Sequence, residues 1–410
     1  MTVLRNIGLL ATCPLDGGQG AIDSIPDAAV AWEGGTITWI GPEADLPDGY
    51  ALDETMDARG RLVVPGLVDC HTHLAFGGWR ADEFEQRIRG ASYLEIAQLG
   101  GGILSTVAKT RALSEDALHA RAAGFLSQMT RLGVTTVECK SGYGLDVETE
   151  LRLLRAYRRL AERGPARIVA TYLGAHVVPP KHQADRARYV DLVVNAMIPR
   201  VAHEKLASCC DVFVEESAFS VAEARRILLA GKAAGLAPKL HADQLTAGGG
   251  AELAAEVGAL SADHLECVSD SGIAAMARVG VTAVSLPLAS LYLNKRPLPA
   301  RRLIEAGVPV AVATDFNPGT APSYHLPLAM TLACTLQRMT PAEVLKGATI
   351  YAAKALGLEG TVGSLQPGKA ADLALIDAPD VNHWLYHFTP NACRLTVIGG
   401  VPHWMDESGY

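Results

Sequence analysis

From residue 67 onward, apolar runs of strand length alternate with segments of helical periodicity, and the alternation recurs eight times. The runs fall at 67–73, 134–140, 168–174, 211–215, 237–241, 259–265, 281–286 and 308–314. They are near-continuous Val, Ile, Ala and Leu, the composition of parallel strands covered on both faces. The intervening helices carry start and stop signals. Leu118, Ala122, Phe125, Met129 and Leu132 repeat at helical spacing after Ser114-Glu115-Asp116, and Gly133 stops them. Leu151, Leu154, Tyr157 and Leu160 follow Asp146 and end at Gly164. Ser220-Val221-Ala222-Glu223 is a capping box, as is Thr340-Pro341-Ala342-Glu343, which opens a helix predicted to run to about Leu356. Eight strand-then-helix units predict an α/β fold, a TIM-like (β/α)8 barrel.

The flanks read differently. Residues 1–65 are short strands with a hairpin around Glu33-Gly34-Gly35, and after Gly357 strands return, with a second hairpin at Gly399-Gly400. We expect a small β-sandwich domain from 1–65 and 357–410, and a catalytic barrel over 66–356. At 410 residues and 49% hydrophobic content, the chain can bury a core for both. The net charge of −8 and the lack of a Lys/Arg block argue against a nucleic-acid partner. No run approaches the roughly 18 apolar residues of a membrane span. Met1–Cys13 reads as a strand rather than a secretory signal. Eight scattered cysteines without a Cys-x-x-Cys suggest reduced thiols in the cytoplasm.

In a barrel, chemistry sits where the strands end. The first run ends in His71-Thr72-His73, and side chains two apart on an extended strand share a side. Two imidazoles can therefore aim at one point, where zinc and similar metals favour imidazole nitrogen. The fifth run ends in His241, the sixth carries His264 next to its end, and Asp315 directly follows the eighth. A lone polar residue at a strand end is usually a satisfied surface group; four strand ends converging on one mouth are not. Imidazoles plus one carboxylate suit zinc or iron(II). A cation there lowers the pKa of its water and polarises a carbonyl, a carboxylate takes a proton, and a nearby His delivers one. That set hydrolyses an amide-like or amidine-like bond.

This constellation, with Gly363-Ser364-Leu365-Gln366-Pro367-Gly368-Lys369-Ala370-Ala371-Asp372-Leu373, resembles the amidohydrolase superfamily. Further resemblance lies in His71–Arg80, Gly101–Val107, Val137–Leu145 and Leu173–Pro180. It implies a single zinc or iron on His71, His73, His241 and Asp315. It also implies hydrolysis of a C–N bond in a small cyclic amide, an imidazolone bearing a propionate, by a homodimer. Arg80, Tyr143 and His176 would hold that substrate, with Asn317, Gly319 and Thr320 contacting substrate or product. A guanidinium suits a propionate because it pairs with a carboxylate through two N–H groups. Gln244 stands where some relatives carry Glu; an amide cannot take a proton, so we expect it to bind the ring and leave proton transfer to Asp315 and His264. Glu215 and Glu216 read as structural. The alternative is another metal-dependent cyclic amide or amidine hydrolase, or a deaminase, of the same superfamily.

Overall fold

The structure, a computed structural model, describes the chain apart from residues 51–53, 92–94, 96–100, 389 and 406–410. Each of the eight apolar runs overlaps a parallel strand: Leu67–Asp69, Val134–Lys140, Arg167–Ala175, Cys209–Val214, Ala237–Ala242, Ser261–His264, Thr282–Ser285 and Val310–Val312. They pair in sequence order as one sheet, strand one to strand eight. Strands one and eight approach where the chain has left both ladders. His73 N–H donates to Phe316 O at 2.8 Å, and Asp315 N–H to His71 O at 3.0 Å. This nearly closes the barrel through the segments that carry the histidines and Asp315.

Helices cover the outside, and their starts follow the expected caps. Ser114 caps Glu115–Thr130 and Asp146 caps Val147–Arg163. Ser220 and Thr340 each form a complete capping box. The stretch expected as one helix to about Leu356 is two, Pro341–Gly347 and Ile350–Lys354, and a further short helix, Val381–Tyr386, lies in the tail where only strands were expected. Thr349 breaks the expected single helix with φ −129° and ψ −98°, while its hydroxyl donates back to Leu345 O at 2.7 Å. A Thr hydroxyl that takes a carbonyl four residues back competes with the helical ladder.

Strands from both termini form a second sheet of eight. The two ends meet where Leu373–Ile376 pairs antiparallel with Leu62–Pro65. Side chains alternate between two environments along these strands, as a two-residue period requires. Val63, Leu373, Leu375, Leu395 and Val397 join Leu4, Leu10 and Trp32 in a core belonging to this sheet. Leu62, Val64, Ala374, Ile376 and Cys393 belong instead to the large core shared with the barrel. The terminal sheet therefore braces the barrel with one face of its strands.

Candidate active site

Inward-facing positions at the C-terminal ends of the barrel strands bring the sequence-derived candidates together. His71, His73, His241, His264 and Asp315 are all at most 3% exposed. Ring centroids lie 5.4 Å apart for His71 and His73, 4.6 Å for His71 and His241, and 5.4 Å for His241 and His264. Asp315 Oδ1 is 3.4 Å from His71 Nε2 and 3.7 Å from His73 Nε2. Two donors each about 2.1 Å from one ion lie at most about 4.2 Å apart, so these spacings fit shared coordination. His71 Nε2 and His241 Nε2 are buried without a hydrogen-bond partner. Buried polar atoms left unpaired in this way call for a ligand. Imidazoles and one carboxylate suit a divalent ion. His264 and Asp315 hold positive φ, 80° and 55°, a costly conformation for residues with a Cβ.

Beneath these residues lies a layer of buried charge that the sequence reading missed. His71 Nδ1 bonds Asp263 Oδ2 at 2.6 Å, and His241 Nδ1 bonds Asp211 Oδ1 at 3.1 Å. Each bond turns the other ring nitrogen, Nε2, toward the centre. Lys140 Nζ reaches Asp211 at 2.7 Å, Glu138 at 2.9 Å and Asp263 at 3.3 Å. Lys239 Nζ donates to Ser261 Oγ at 2.7 Å and lies 3.6 Å from Glu138. All five charged side chains are 0% exposed. Glu138, Asp211, Asp263 and Asp315 against Lys140 and Lys239 leave two negative charges, which a divalent cation with neutral imidazoles balances. A further carboxyl, Asp69, accepts from the Thr314 backbone and hydroxyl and is pushed up to about 7 by burial. The signal in the sequence was polar residues at every second place inside apolar runs, as in Lys239-x-His241 and Ser261-x-Asp263.

Burial keeps most of the clustered imidazoles neutral. Burial brings His241 down to about 3 and His176 to about 4; with neighbouring imidazoles it also holds His73 well below its ordinary range. His71 is the exception. Burial and the Lys140 ammonium push it down, but Asp263 and Asp315 outweigh them and lift it to about 9. Burial would raise Asp315, yet the hydrogen bond from His71 and the surrounding imidazoles keep it below the usual carboxylate value.

Around this centre, His176 stacks on His73 with centroids 5.2 Å apart, and the buried Tyr143 ring lies 5.6 Å from each. The loop carrying Tyr143 is fixed by Glu150, whose carboxylate accepts the N–H groups of Gly142, Gly144 and Leu145 at 2.7–3.0 Å. Gly142 has φ 106°, and a Cβ there would lie 3.0 Å from His176 Nδ1. Arg80 is held by Glu83, with Nη2 at 2.7 Å and Nε at 2.8 Å from Oε2. Glu83 also accepts the N–H of Gly102 at 2.9 Å. The Arg80 guanidinium lies against Gly319, where a Cβ would sit 2.1 Å from Nη1. Asn317 spends its amide within its own loop, accepting from Gly319 and Thr320 N–H at 2.8 Å and donating to Asp315 O and Thr320 Oγ1. Gln244 is half-buried on the loop after strand five. That loop is clamped by Glu215, which accepts the N–H groups of Leu245 and Thr246, so Glu215 is structural as expected. Glu266, also unread in the sequence, places Oε1 3.5 Å from His264 Nδ1.

A barrel with such a centre at its mouth is the architecture of a hydrolase with a candidate metal site, and comparison places the chain among hydrolases. A model of the amidohydrolase family matches residues 96–402, and the chain belongs to that family. Solved structures share the fold at 18–19% identity. One is an atrazine chlorohydrolase from Arthrobacter aurescens with zinc and atraton (TM-score 0.76, 99% of this chain and 95% of that one). Another is an adenosine deaminase from Xanthomonas campestris with bound zinc (TM-score 0.73, 98% and 94%). Full-length relatives narrow the class to the imidazolonepropionases. That of Geobacillus kaustophilus is 49% identical over 92% of this chain and 90% of its own. That of Cupriavidus necator is 48% identical over 97% and 95%.

Proposed function

We propose that this chain opens the ring of 4-imidazolone-5-propanoate, hydrolysing a C–N bond to give N-formimidoyl-L-glutamate in L-histidine degradation. The observation that carries the reading is the convergence of three imidazoles and Asp315, with buried nitrogens left unpartnered, in a chain whose relatives bear that activity's name. His71, His73, His241 and Asp315 hold one zinc or iron(II). When bound, such an ion supplies a water with pKa near 7 and polarises the ring carbonyl. Asp315 takes the proton of the attacking water. His264, with its ring 5.7 Å from that of His71, hands a proton to the leaving nitrogen. Arg80 pairs with the propionate, and Tyr143 and His176 flank the ring. Gln244 hydrogen-bonds the ring without exchanging protons, and Asn317 shapes the turn that presents Gly319 and Thr320.

We assign this chemistry to a barrel domain over residues 66–356, with 1–65 and 357–410 as the β-domain. The working enzyme is a cytoplasmic homodimer. Eight free thiols support a reducing compartment. The test is loss of the substrate's ultraviolet absorbance, with and without chelator. Turnover should stop with chelator and return with zinc or iron(II). Arg80→Lys should raise KM while metal is retained; an unchanged KM removes Arg80 from this role. Turnover of other cyclic amides or amidines but not of this substrate would move the chain to the alternative activity.

A further inference from the structure

We infer that Lys140 is the positioning residue of the metal centre: one buried ammonium that fixes the orientation of both His71 and His241. The inference rests on the reading of those histidines as ligands. An ammonium has three N–H donors. At Lys140 three carboxylates surround it, from Asp211 on strand four, Asp263 on strand six and Glu138 beside it on strand two. Each aspartate then does a second thing. Asp211 uses its other oxygen for His241 Nδ1 and the His241 backbone N–H, both at 3.1 Å. Asp263 takes His71 Nδ1 at 2.6 Å on Oδ2, while Ser261 Oγ holds Oδ1 at 2.5 Å. The backbone tightens the same joint, because Lys140 N–H donates at 2.8 Å to Thr72 O, between His71 and His73. Two imidazoles from strands distant in sequence thus take their tautomer and angle from carboxylates that share one cation. Aspartates without that cation would face each other and Glu138 in a water-free interior, where like charges repel strongly. They would turn apart, and Nε2 of both rings would lose its aim.

The inference separates from a plain charge effect. Removing a cation beside a dication should tighten metal binding on Coulombic grounds. Losing the partners that orient ligating histidines weakens it, by roughly 10- to 100-fold. The experiment measures the dissociation constant of Zn²⁺ by competition with a chromophoric chelator, on full-length metal-free protein. Lys140→Met should weaken Zn²⁺ binding at least about 10-fold. Val137→Ala, a buried barrel substitution outside the network, should destabilise the fold yet leave the constant at the wild-type value. Equal or tighter binding in Lys140→Met overturns the inference, and so does an equal loss in Val137→Ala. If Lys140→Met does not fold, Asp211→Asn and Asp263→Asn decide. Each should weaken binding about 10-fold, and wild-type affinity in both overturns it. Wild-type protein that binds neither zinc nor iron would sink the metal reading itself.

Discussion

At the scale of single residues, the division of proton work is the sharpest claim. His264 and Asp315 both hold left-handed backbone angles at the ends of strands six and eight. Such strain persists only where surroundings over-determine it, and it gathers at functional positions. Gln244 shows no strain of this kind, and its side chain ends in an amide that cannot accept a proton. His264→Ala should therefore lower kcat by about two orders of magnitude or more, the usual size of a lost acid–base group. Metal content should stay at the wild-type level. Gln244→Ala should act chiefly on KM. Steady-state kinetics with metal analysis on both variants checks this, and a larger kcat loss in Gln244→Ala would transfer the proton work away from His264.

At the scale of elements, the substrate side is built from loops that carboxylates staple to the barrel. Glu150 receives three backbone N–H groups from the loop of Tyr143, and Glu215 receives two from the loop of Gln244. Glu150→Gln puts an NH2 where a carboxylate oxygen accepted, leaving a buried N–H unpaired at about 1–3 kcal/mol. We expect a lower melting temperature and a raised KM, with metal content unchanged; calorimetry and kinetics read both. Unaltered KM would mean that the Tyr143 loop keeps its shape without the staple. These staples also show where sequence reading reached and stopped. The barrel strands were legible because parallel strands buried on both faces spell continuous apolar runs. The ladders of strands one and eight are shorter than their runs, since the chain leaves pairing there to aim His71, His73 and Asp315. The residues gathered at the barrel mouth were legible by their place at strand ends. Lys140, Asp211, Asp263, Glu83 and Glu150 were not, because a charged side chain reads as solvated until its partner is known. Lys140 finds its partners 71 residues on, at Asp211, and farther still at Asp263.

For the whole molecule, the buried charges fix a proton inventory that can be counted. In the metal-free protein, His241, His176 and His73 are depressed, so the unfolded chain takes up protons near 6.5 while the folded one does not. Stability from these groups is full above that pH and is lost as pH falls toward 4 and below. His71 acts in the opposite sense. Its folded value of about 9 adds stability that is full below about 6.5 and is lost as pH rises through 9. A metal needs neutral imidazole. At pH 6, His73 and His241 already meet that condition, whereas His71 must surrender its proton. Water on the ion, with pKa near 7, stays largely protonated there. Zinc binding at pH 6 should therefore release close to one proton per ion, measured by titration calorimetry in buffers of different ionisation enthalpy. Asp69→Asn should leave that count unchanged, separating His71 from the neighbouring carboxyl. A count of zero would mean that Asp263 and Asp315 do not hold His71 charged. A count of three would mean that burial does not keep the other two ligand imidazoles neutral, and the charge balance drawn for this barrel would be wrong.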